Sequence, residues 1–92
     1  MTKKFEVTFS APTSLSPSFV YISPSEIYQG YYSVGILHPV SSSGTFQSAA
    51  GIAKTFDLKQ HLTPNVKDAL SWATDWLSKK SGVNASLSEV TV

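Results

Sequence analysis

Cysteine and arginine are both absent from this chain of 92 residues. Without cysteine there are no disulfides, no thiolate metal ligands and no cysteine nucleophile. That suits a reducing interior, so a cytoplasmic location is expected. Without arginine, the planar fork that grips phosphates and guanine edges at two points is missing. Seven lysines against six acidic residues leave a net charge of only +1, and charged residues make up 14% of the chain. Soluble domains average about 25%. Nucleic-acid binding by a strong electrostatic footprint is therefore disfavoured. No run of about 18 apolar residues is present, so no membrane span is expected. Met1 leads into an alternating segment and not an apolar run, so no secretory leader is expected. Asn84-Ala85-Ser86 matches a glycosylation acceptor, which without an export signal reads as chance. Phosphate loops and the Gly-x-Ser-x-Gly element are missing as well.

What the chain does contain is one strongly patterned helix among strands. From Thr63 to Gly82, Val66, Ala69, Leu70, Ala73 and Leu77 fall on one stripe at about 100° per residue. Thr63 suits the cap, Pro64 the first helical position and Gly82 the left-handed stop. Lys67, Asp68, Ser71, Thr74, Asp75 and Ser78 occupy the opposite arc. Trp76 lies at the stripe's margin and Trp72 farther round.

Strands are expected on both sides. Lys4 to Ser10 alternates, with Phe5, Val7 and Phe9 on one face. Ala11 to Pro17 reads as a loop. Ser18 to Ser23 is apolar on both faces, which predicts a central strand or a face covered by a partner. Ser23-Pro24-Ser25-Glu26 has capping-box spacing, so Pro24 to Gln29 predicts a short helical turn or a wide loop. Tyr31 to His38 is a third strand ended by Pro39, and Gly35 predicts a bulge or a close backbone approach. Thr45 to Leu58 predicts a short strand, a turn near Ala49 to Gly51 and a strand from Ile52 to Leu58, with Gln60 to Leu62 leading into the helix. Ser86 to Val92 predicts an untidy closing edge strand. Together these give one small α+β domain over residues 1–92. Its antiparallel sheet has four to five strands, one main helix (about 63–81) packs on one face, and a C-terminal strand closes it.

Candidate chemistry is sparse. His38 and His61, with Asp57 near the second, match no metal spacing. They read as a strand end and a solvated loop residue. The six carboxylates show no pairing, and serine abundance is explained by loops and caps. No catalytic residue, metal or cofactor is expected. Tyr21, Tyr28, Tyr31 and Tyr32 cluster around the second strand connection, and tyrosine suits recognition surfaces. Tyr31 and Tyr32 must point opposite ways, so Tyr28 and Tyr31 are the expected exposed pair. Trp72 is either covered by a loop such as Ser41 to Phe46 or anchors a partner. Lys3, Lys4, Lys79 and Lys80 form a basic patch if the first strand meets the helix end.

These residues predict a small non-catalytic protein-binding module or inhibitor that occupies a surface of a larger protein or complex. Its contacts would be Tyr28, Tyr31 and Trp72, with the four lysines meeting phosphate or an acidic partner. A homodimer through the closing edge is a further option. One alternative is a nucleic-acid-binding α+β domain using sheet aromatics and lysines. The second is a small enzyme or enzyme subunit using His38 or His61.

Overall fold

Alternating apolar residues build the first strand, β1 (Lys3–Phe9), and its partners follow the same rule: β2 (Phe19–Pro24), β3 (Tyr32–Val40), β6 (Thr55–Thr63) and β7 (Ala85–Val90). They form one antiparallel sheet in the order β6-β3-β2-β1-β7. The computed structural model describes residues 2–40, 47–48, 51–52 and 55–90, with side chains for 2–39 and 58–90. Between β3 and β6, β4 (Gln47–Ser48) and β5 (Gly51–Ile52) pair with each other as a separate ladder. The single helix, α1 (Val66–Ser81), lies across one face of the sheet. The fold is α+β, as the patterning predicts.

The helix-facing side carries the core. Phe5, Val20, Ile22, Val34 and Ile36 are buried against Ala69, Ala73 and Leu77 of α1. Val7, Phe9, Tyr32, Val66, Leu70, Ala85 and Leu87 close its margins. Two alanines at the centre of the helix stripe remove bulk where helix and sheet come closest. β2 is the middle strand: Val20 and Ile22 face the helix, and Phe19 and Tyr21 lie half-buried on the other face. Each fully buried side chain of Val or Ile size contributes about 1.5–3 kcal/mol. The sheet and this stripe therefore hold the domain together without a disulfide.

Several local expectations are corrected. Asn65, not Thr63, caps α1: its side-chain oxygen accepts from the Asp68 N–H at 2.7 Å, and its amide donates to the Asp68 carboxylate at 2.7 Å. Thr63 is instead the buried last residue of β6, and Pro64 sits in the bend between. β6 runs through Gln60 to Leu62 because those residues stay paired with Gly35 to Ser33 of β3. Of the strand expected from Ile52 to Leu58, Ile52 belongs to β5 and Thr55 to Leu58 belong to β6; Ala53 and Lys54, and Ala49 and Ala50 of the expected turn, lie outside the described residues. Pro39 does not end β3, which reaches Val40.

Hydrogen-bond parity explains that last point. The Val7 N–H donates to the Ser18 carbonyl at 3.3 Å and the Ser10 N–H to the Asn84 carbonyl at 2.9 Å. In an antiparallel ladder, alternate residues bond to alternate neighbours. Carried through the registers, this directs Ser33, Gly35 and Leu37 toward β2 and Tyr32, Val34, Ile36 and His38 toward β6. Pro39 follows the first set, two residues past the last β2 pair, so its missing N–H breaks no ladder bond. At Gly35 the register is unbroken, and a Cβ there would lie 3.2 Å from Leu58 Cδ1. The close neighbour is a side chain, not a backbone.

Candidate protein-binding surface

The second sheet face has no helix over it among the described residues. Register sets its rows: Ser88, Glu6, Phe19, Leu37 and Leu58 in one, and Val90, Lys4, Tyr21, Gly35 and Gln60 in the next. Phe19, Tyr21 and Leu37 are half-buried. The Lys4 ammonium lies 4.8 Å from the Phe19 ring centre and 5.9 Å from that of Tyr21. Its charge is held over the aromatic faces and shields them from water.

A hollow opens at the Leu62 end of this face. Ser23, Ser33, Gln60 and Leu62 form its floor, and Ile27 and Tyr28 from the β2–β3 connection stand beside them. Its volume is about 970 Å³ and it is wide open to solvent. Of the short helical turn or wide loop expected over Pro24 to Gln29, the connection is the wide loop. Ser25, one turn residue later, accepts from the N–H groups of Ile27 (3.3 Å) and Tyr28 (3.1 Å). The Tyr31 N–H donates to the Tyr28 carbonyl at 3.1 Å, and Gly30 takes the positive φ of 85° that closes the turn. This pins an apolar tip, Ile27-Tyr28, outside the core. Tyr28 and Tyr31 meet edge to face at 6.5 Å, which holds both rings upright.

Exposure singles out this end of the molecule. Among the described residues, the exposed large hydrophobics are Ile27 (84%), Tyr28 (55%), Leu58 (49%), Tyr31 (45%) and Leu62 (42%). All belong to the β2–β3 connection or to the open face of β6. Scattered exposed apolar residues need no explanation, whereas a cluster marks an interaction site. Ile27 and Leu62 were missed by sequence reasoning. Their signal was an isoleucine in a turn and a leucine opposite a serine-lined strand face.

Trp72 lies on the other side of the sheet. Its indole stacks on the His61 imidazole, with centres 4.6 Å apart and planes 15° from parallel. Trp76 packs on His38 at 4.9 Å. α1 runs back along β6, so residues 72 and 76 meet histidines on successive stretches of β6 and β3. His61 is thus exposed, as expected, but sits in a strand and not in a loop. His38 is buried two residues before the strand's end, with Nδ1 3.3 Å from the Pro39 carbonyl oxygen. Both tryptophans are half-buried against the core margin. The loop Ser41 to Phe46, named as a possible cover for Trp72, lies outside the described residues; His61 is the cover that is seen. Trp72, Trp76, Lys80 and the ion-paired Asp75 and Lys79 (2.9 Å) line a smaller hollow beside it.

The expected basic patch does not assemble. Lys3 and Lys4 begin β1, whereas Lys79 and Lys80 end α1, close to where Ala85 pairs with Phe9. Six residues of strand, about 20 Å, separate the two ends. Lys4 also lies on the opposite sheet face from the helix. Among the described residues, no three His, Asp or Glu side chains are grouped to hold a metal ion. No described helix is long and apolar enough to cross a membrane. Comparison of the chain with protein-family models, with curated proteins and with solved structures finds no match in any of the three.

Proposed function

We propose that this chain is a small non-catalytic protein-binding module or inhibitor, which acts by occupying a surface of a larger protein or complex. The observation that carries the reading is the convergence of Ile27, Tyr28 and Leu62 on one open hollow, with Tyr31 and Leu58 beside it. Rigid apolar and aromatic anchors around a hydroxyl-lined floor suit a protein partner: the rings bury area at small entropic cost, and the hydroxyls of Ser23 and Ser33 supply adaptable hydrogen bonds. The working pair of tyrosines is Tyr28 and Tyr31. Trp72 contributes from the seam behind β6, where its packing on His61 stiffens the edge strand. The absence of cysteine suits work in the cytoplasm.

The test is capture of a partner from the source cells on the immobilised chain, repeated with Tyr28→Ala and Leu62→Ser. Each variant is expected to keep the native circular dichroism spectrum and to weaken partner binding about 30-fold or more, the loss of at least about 2 kcal/mol that marks an interface hot spot. Partner binding that is unchanged in both variants would refute the proposed site.

One arrangement favours a second reading, that of a nucleic-acid-binding domain. Phe19 and Tyr21 lie side by side on the open face under the Lys4 ammonium, a layout on which unstacked bases could rest. Glu6 beside Phe19 and the absence of arginine oppose it. Single-stranded RNA that binds at low salt, and is lost on Phe19→Ala, would favour this reading over the first.

A further inference from the structure

β6 is an edge strand paired with β3 along its whole length, Thr55 to Thr63. The hydrogen-bond parity derived above assigns Asp57, Lys59, His61 and Thr63 to that ladder. It leaves the N–H and C=O groups of Gln60 and Leu62 directed away from the sheet. The opposite edge, β7, is partly closed, because the Ala85 N–H that points outward there donates to Ser78 Oγ at 3.1 Å. A row of outward backbone donors and acceptors is a template for another strand.

We propose that the β6 edge at Gln60 to Leu62 accepts an extended segment of the partner as an added strand, with alternating apolar and acidic side chains. This rests on the protein-binding reading and names the partner's chemistry. The two flanks of the edge differ in character. On the open face, an added strand's side chains would fall beside Leu62, Gln60 and the Ile27-Tyr28 wall of the hollow. Ile27, Tyr28 and Leu62 there take apolar groups, and Glu26 in the same lining disfavours acidic ones. On the helix face, the alternate side chains would fall beside His61 and the exposed Lys59, with Lys80 in the hollow next to Trp72. Lys79 is neutralised by Asp75, and no described carboxylate is paired with Lys59 or Lys80. The charge complement of that flank is acidic. Because strand side chains alternate in direction, one incoming segment satisfies both flanks only if its apolar and acidic residues alternate.

Fluorescence anisotropy with the full chain and fluorescein-labelled acetyl-(Ile-Glu)3-amide tests this. Saturable binding is expected, at least about tenfold tighter than to the (Ile-Lys)3 counterpart. Methylating the peptide nitrogens on one alternate set should abolish it, and methylating the other set should leave it intact. Lys59→Glu should reverse the preference for Glu over Lys peptides, and Gln60→Pro, which removes an outward donor while sparing the β3 ladder, should weaken binding about tenfold. Should Gln60→Pro unfold, the methylated peptides carry the same test on the unaltered chain. Equal binding of both peptides, no binding, or indifference to N-methylation would overturn the proposal. So would a sizing-column dimer that excludes the peptide, since the occupant would then be a second copy. A partner whose binding needs Tyr28 and Leu62 but is indifferent to Lys59→Glu and Gln60→Pro overturns strand addition and leaves the protein-binding reading standing.

Discussion

Asn65 carries two hydrogen bonds to one neighbour, and the start of the helix depends on them. Its side chain satisfies the Asp68 N–H and anchors the Asp68 carboxylate in the first turn, where the helix dipole favours negative charge. Asn65→Ala is expected to cost about 1 kcal/mol, read as a shifted midpoint in urea denaturation with an unchanged slope. The cap was hard to place from sequence because Thr63, Pro64 and Asn65 are all start signals. What decided it was that Thr63 is held in the β6 ladder, opposite Tyr32. At the other end Gly82 stands at φ 76°, and its N–H donates to the Ser78 carbonyl at 2.9 Å, so the stop was legible. The histidines were not legible as packing residues. Stacking between His61 and Trp72 joins a strand to the helix that follows it, and it depends on how α1 folds back along β6 and not on a local pattern. His61→Ala should uncover one face of the Trp72 indole and move tryptophan emission to longer wavelength, while Lys67→Ala on the outer helix face should leave it unchanged.

Among the elements, period-two and period-3.6 patterns were the most readable features. β1 and the α1 stripe emerge with the predicted faces inward because each buries one continuous apolar row, and β2 takes the central place that was one of its two predicted settings. Ala73 sits at the helix–sheet contact with no exposed surface, and Leu77 beside it is equally enclosed. Leu77→Ala should cost about 2–5 kcal/mol by opening a cavity, and Ala73→Leu about 1–3 kcal/mol by overpacking. Thermal unfolding of both variants checks this; a neutral Ala73→Leu would mean that the helix stands farther from the sheet. Boundaries were less readable where tertiary pairing overrode local signals. Pro39 is compatible with β3 because its position relative to β2 leaves its nitrogen without a ladder partner to satisfy. That depends on how far β2 extends, which the residues around Pro39 do not encode.

At the scale of the molecule, one helix covers one sheet face and leaves the other with an aromatic centre and an apolar end. The tyrosine cluster pointed to part of this surface, since Tyr28 and Tyr31 stand exposed at the β2–β3 turn. The rest depends on strand order. Only when β6 pairs beside β3 do Leu62 and Gln60 come next to Ser33 and under Ile27, and that neighbourhood spans residues far apart in sequence. The same order separates the lysines, which sequence spacing alone could not foresee. A surface made this way binds through apolar anchors near the edge strand and not through concentrated charge. Partner affinity should therefore fall only modestly, by less than about tenfold, between 50 and 200 mM salt, in contrast to the steep loss of a phosphate-binding protein. The most direct measurement is backbone hydrogen exchange of the chain with and without its captured partner. Slowed exchange concentrated at residues 26–31 and 58–62 is the predicted result. Protection confined to the outer face of α1, around Lys67, Ser71 and Asp75, would contradict the account.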